Sequence, residues 1–99
     1  MANTESLKDE FRKDLQKLQF LVGYQREHEA GPNVGYQDMN RFLIAWCDRF
    51  MDEEQQGADV GQVGFLRDQL FTAIRDIELG REPQILRGNE SERNVELER

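Results

Sequence analysis

Asp48 and Asp52 stand four positions apart, with Glu53 and Glu54 directly behind them, and they are the side chains in this sequence best spaced to act together. On a helix such an i, i+4 pair shares one face, and hard divalent cations bind carboxylate oxygens of this kind. A Mg2+ or Ca2+ site needs further ligands that the sequence does not identify, so the four acids read as an acidic surface patch and no metal is expected. Glu27, His28 and Glu29 are the other group with ligand chemistry. Adjacent helical residues diverge by about 100°, so these three cannot converge on one ion. They read as a solvated helix end with the imidazole near the negative terminus. Cys47 is the single cysteine and sits within an apolar turn, where it reads as a small buried hydrophobe rather than a nucleophile. Gly57, Gly61 and Gly64 have the look of a phosphate loop, but no Lys-Ser or Lys-Thr pair and no strand accompany them, and Asp59 would oppose phosphate. No cofactor is expected, and the chain reads as non-catalytic.

The elements that position these residues are helical. Leu7, Phe11, Leu15, Leu18, Leu21 and Val22 recur at helical spacing, with Ser6 and Asp9 resembling a capping box before them and Gly31-Pro32 closing the segment. A first helix is therefore expected from about Ser6 to about Glu29. Tyr36, Met39, Leu43, Trp46 and Phe50 follow steps of three and four, and Phe42, Ile44, Ala45 and Cys47 widen that stripe. Such an apolar second helix is expected to be central, with Leu43, Trp46, Cys47 and Phe50 among the least exposed residues. Asp59 is the expected cap of a third helix, whose buried face is Val60, Val63, Leu66, Leu70, Ala73, Ile74 and Ile77, and Gly80 and Pro83 end it. No period-two segment calls for a strand. The fold expected is an all-α, small three-helix bundle over residues 1–83, followed by a polar tail over 84–99 with room for a short fourth helix, in which Ile85 and Leu86 tuck against the bundle.

Charge restricts the partners. The formal net charge is −7 over 99 residues, with 33% charged residues. Sixteen of the acids and ten of the bases lie in residues 1–83, so the acidity belongs to the folded part. An acidic chain repels phosphate backbones and anionic lipid, which disfavours direct nucleic-acid and membrane contact. One cysteine closes no intrachain disulfide, and residues 1–10 lack the apolar run of a signal peptide, so a reducing, cytoplasmic setting is expected.

One feature points to a partner. Phe20, Phe42, Phe65 and Phe71 fall outside the narrow stripes, more rings than a three-helix core of this length readily encloses. Some of them should meet another protein. The candidate contact surface joins an acidic rim of Asp48, Asp52, Glu53 and Glu54 to an exposed aromatic, Phe65 or Phe71, with Tyr36 third. In size, charge and helicity alone the chain resembles small acidic helical immunity proteins, antitoxins and phage-encoded antagonists, a likeness that transfers no residue. The expected role is stoichiometric inhibition or regulation of a more basic protein partner. The alternatives are an all-α oligomeric enzyme or accessory subunit with a carboxylate site at a helix interface, and a regulator that self-associates as a homo-oligomer through its second helix.

Overall fold

The computed structural model describes residues 4–31 and 33–87. Three α-helices, α1 (Thr4–His28), α2 (Tyr36–Gln55) and α3 (Val60–Glu78), are followed by a 3-10 turn, Gln84–Leu86, with no strand among the described residues. The all-α three-helix bundle read from the sequence is the observed architecture. The three helices pack on one another pairwise, and the 3-10 turn lies against α1 and α3.

Side-chain contacts define the helix directions. Gln25 near the end of α1 donates to Asp38 near the start of α2 at 3.0 Å, and Arg49 near the end of α2 meets Glu10 near the start of α1 at 2.6 Å. α1 and α2 are therefore antiparallel. Glu54 of α2 pairs with Arg67 of α3 across the turn that joins them. Arg26 donates to the carbonyls of Ile77 and Glu78 at 2.8 Å each, so the C-terminal ends of α1 and α3 lie side by side.

The helix ends follow from local chemistry. The Asp59 carboxylate accepts from the amides of Gly61 and Gln62 at 2.8 and 3.1 Å, as expected of the α3 cap. At the end of α2 the amides of Gly57 and Ala58 return to the carbonyls of Glu54 and Glu53, with Gly57 at φ 101°. Gly80 and Arg81 repeat this on Ile77 and Asp76 at the end of α3. Gly35 precedes α2 at φ 80°, and a Cβ there would stand 2.9 Å from a Val22 methyl, so both the conformation and the close approach call for glycine.

The core is a single cluster: Leu7, Phe11, Leu15, Leu18 and Val22 of α1, Met39, Trp46 and Phe50 of α2, Ala58, Val63, Leu66, Leu70, Ala73 and Ile77 around α3, and Ile85 of the 3-10 turn. Ile85 thus tucks against the bundle as its apolar character suggests, with Leu86 beside it. The remainder of the expected tail, residues 88–99, lies outside the described residues.

Several expectations are corrected. α1 begins earlier than expected, since the helix already includes Thr4 and places Ser6 inside the first turn rather than at its start. Trp46 and Phe50 are buried as expected, but Leu43 and Cys47 are only half-buried and Ile44 is 63% exposed. α2 is thus covered on one side rather than all round. Val60 is 67% exposed because it opens α3, where α2 has already ended, and Leu21 is exposed at the flank of α1. Phe42 resolves in the other direction, joining the core from its edge.

These burials set the mutational response. Phe50→Ala is expected to destabilise by about 3 to 5 kcal/mol, whereas Leu43→Ala should fall below the roughly 2 kcal/mol typical of enclosed leucines. Urea denaturation of the two variants checks the order, and an equal loss would contradict the half-burial of Leu43. Gly35→Ala should lower stability by more than about 1 kcal/mol, because it adds both left-handed strain and a contact with Val22.

Candidate functional site

Large apolar side chains left in water are the clearest candidates for contact with another molecule. Ten are exposed among the described residues, and five of them belong to α2 and α3: Tyr36, Val60 and Phe71 on the sides where these two helices face each other, and Ile44 and Met51 next to that side on the outer surface of α2. Helical phase places them there. On α2, Tyr36, Leu43, Cys47 and Glu54 step by seven, four and seven, which keeps them in one row. Glu54 reaches Arg67 of α3, so this row looks towards α3. Ile44 and Met51 lie just outside it. On α3, Val60, Arg67, Phe71, Ile74 and Glu78 step by seven, four, three and four, and Arg67 turns this row towards α2. Leu43, Cys47 and Ile74 are half-buried against the core and floor the strip, while Ile44, Met51 and Phe71, at 63, 53 and 52% exposure, stand up from it.

The four acids of the expected rim separate into two pairs. Asp48 and Asp52 are exposed and make no ion pair among the described residues. With Ala45, Arg49, Met51 and Gln55 they line one shallow depression beside the apolar strip. Glu53 and Glu54 instead serve the fold. Glu53 receives Arg49 at 3.2 Å, and Glu54 is held by Arg67. Arg49 also meets Glu10 and lies over the Trp46 ring, 5.5 Å from its centroid. Partial burial works against the Arg49 charge, but the hydrogen bonds and attraction of Glu10 and Glu53 outweigh it and raise its pKa. Salt bridges this exposed contribute modestly to stability.

The expected aromatics separate as well. Phe65 and Phe71 are both about half exposed, but six helical positions leave them about 120° apart. Phe71 belongs to the α2–α3 face with Tyr36, and Phe65 lies on the opposite flank of α3. The structure thus groups Tyr36 with Phe71 on the α2–α3 face, groups Asp48 and Asp52 with Met51 on the outer side of α2, and leaves Phe65 outside both sets. Met51 and Ile44 were not singled out by sequence reasoning. Their signal was present, since neither falls in the three-four stripe of Met39, Leu43, Trp46 and Phe50.

The remaining candidates have structural settings. His28 packs against Tyr24 with the rings tilted and their centroids 4.2 Å apart, and Cys47 is a half-buried free thiol. No group of three or more metal-ligating side chains converges among the described residues. In comparisons with protein-family models, curated proteins and solved structures, no match to this chain was found.

If Phe71 and Met51 are surface residues of a preformed face, removing them should leave the bundle intact. Phe71→Ser and Met51→Ser are expected to shift stability by about 0.5 kcal/mol or less, against about 2 to 5 for Leu70→Ala one position away. Thermal denaturation of the three variants checks this.

Proposed function

We propose that this chain is a non-catalytic, acidic protein-binding module that acts as a stoichiometric inhibitor or regulator of a more basic protein, with the α2–α3 face as its contact surface. The observation that supports this reading is the adjacency of exposed Met51 to the carboxylates of Asp48 and Asp52, which enter no ion pair among the described residues, on a helix whose neighbour α3 also leaves Phe71 exposed. Exposed carboxylates act at long range through water and accelerate encounter with a positive surface. Apolar side chains act after contact, when their desolvation holds the complex together. Arg67 and Arg49 are already engaged with Glu54, Glu53 and Glu10, so they compensate little of the charge of Asp48 and Asp52. A reducing, cytoplasmic location fits the single free cysteine, and no helix among the described residues is long and apolar enough to cross a membrane.

The test is affinity capture on the immobilised protein followed by kinetics on the protein retained. The retained partner is expected to be basic. Asp48→Lys with Asp52→Lys should slow association about tenfold and flatten its salt dependence, while Phe71→Ser should mainly speed dissociation. Unchanged association and salt dependence in the double variant would refute the reading. Glu53 and Glu54 are left intact in this design because Glu54 joins α2 to α3 through Arg67, and Glu53 holds the same Arg49 that meets Glu10 of α1.

A further inference from the structure

A second concentration of apolar surface lies on α1, away from the α2–α3 face. Phe20 is 76% exposed, more than any other large apolar side chain described, and Tyr24 and Leu21 are at 55 and 40%. Lys13, Lys17, Phe20, Tyr24 and Glu27 follow one another at steps of four, three, four and three, the spacing of a seam between two packed helices. All five are exposed, and they run along the side of α1 opposite buried Phe11, Leu15, Leu18 and Val22. Lys13, Gln16, Lys17 and Phe20 line one shallow depression. Lys13, Lys17 and Glu27 enter no ion pair among the described residues.

The order of groups along this stripe is two ammoniums, two aromatic rings and a carboxylate. Laid parallel on a copy of itself, it would set lysine on lysine and glutamate on glutamate. Laid antiparallel, it sets the ammoniums of each copy towards the rings and the carboxylate of the other, pairings favoured by cation–π and ionic attraction, and it opposes the two helix dipoles. The stripe is therefore complementary to itself under a two-fold axis, the commonest symmetry of protein oligomers. A basic partner would be repelled by Lys13 and Lys17. An anionic membrane or nucleic acid would meet Glu27 and a chain of net charge −7. A second copy satisfies both ends of the stripe at once.

We infer that α1 packs antiparallel on α1 of a second copy of this chain through Lys13, Lys17, Phe20, Tyr24 and Glu27. The stripe spans about 21 Å along the helix. A single helix face of this length covers less than the roughly 800 Å2 per partner of standard interfaces, so the dimer is weak and reversible. This association uses a surface separate from the α2–α3 face, so each inference can fail alone.

Sedimentation equilibrium over about 1 µM to 1 mM tests it. The unaltered protein should pass reversibly from monomer to dimer, and Phe20→Glu should weaken the dimer at least about tenfold without changing helicity. Lys13→Glu with Lys17→Glu, and separately Glu27→Lys, should each weaken self-association. Mixed together, these two charge variants should associate at least about tenfold more tightly than either alone, because one then carries acids where the other carries lysines. A monomer at the highest concentration, a dimer indifferent to Phe20→Glu, or a mixture no tighter than its components would each overturn the inference. Vesicle or nucleic-acid binding lost in Phe20→Glu by an otherwise monomeric protein would assign the stripe to those ligands instead.

Discussion

Phe11 is wholly enclosed, and the arrangement of the molecule follows from how that enclosure is made. Trp46 and Phe50 meet its ring edge-on at 5.3 and 5.5 Å, and Phe42 lies tilted at 6.2 Å. These three residues of α2 are spaced by four, so one row of rings wraps a single residue of α1 and sets where the two helices cross. Glu10 and Arg49 are the residues immediately before Phe11 and Phe50, and they form an ion pair, with Arg49 over the Trp46 ring. Because aromatic volume between α1 and α2 is already taken, the row that α3 contributes is aliphatic: Val63, Leu66, Leu70, Ala73 and Ile77. The rings α3 does carry, Phe65 and Phe71, have no place inside and remain on its flanks. The exposed apolar surface is thus a consequence of how the core is filled.

The other end of the bundle is held differently. Arg26 spans from α1 to two terminal carbonyls of α3, serving as the cation that a helix C-terminus favours while coming from a neighbouring helix. The chain then turns at Gly80 and returns through buried Pro83 and Ile85 beneath the α1–α3 side. α1 and α3 therefore share a covered side, whereas among the described residues the α2–α3 side carries nothing beyond the two helices themselves. That asymmetry leaves Met51, Phe71 and their neighbours in water.

Much of the fold was legible because its signals are local. The three-four spacing of α1 and α3 identified nearly every buried residue, and Asp59 was readable as a cap because two amides lie within reach of its carboxylate. The errors arise where a second element decides. Val60 belongs to the apolar phase of α3 but opens the helix where no neighbour extends. Leu43 and Cys47 look central in a run of apolar residues, yet the core direction of α2 passes through Met39, Trp46 and Phe50 and leaves them to one side. The candidate site shows the same limit. Spacing tells that Phe65 and Phe71 both miss the stripe, but only the Glu54–Arg67 contact tells which of them faces α2. Four consecutive-looking acids likewise read as one patch until Arg49 and Arg67 claim two of them.

The alternation of charge and apolar groups on the outer side of α2 bears on selectivity. Ile44, Asp48, Met51 and Asp52 follow one another along the helix, so a partner that covers Ile44 and Met51 must also desolvate or satisfy two carboxylates. For an apolar or acidic surface that requirement cancels the gain from burying the two side chains. A surface presenting cations at helical spacing turns the same requirement into attraction, and discrimination arises from the cost imposed on the wrong partner as much as from contact with the right one. The α1 stripe works on the same principle with the signs arranged end to end instead of interleaved, which makes a reversed copy of itself the surface it fits best. In both arrangements exposed apolar side chains share a helix face with charges, Met51 with Asp48 and Asp52 and Phe20 with Lys13 and Lys17, so a surface that buries the one must also satisfy the other.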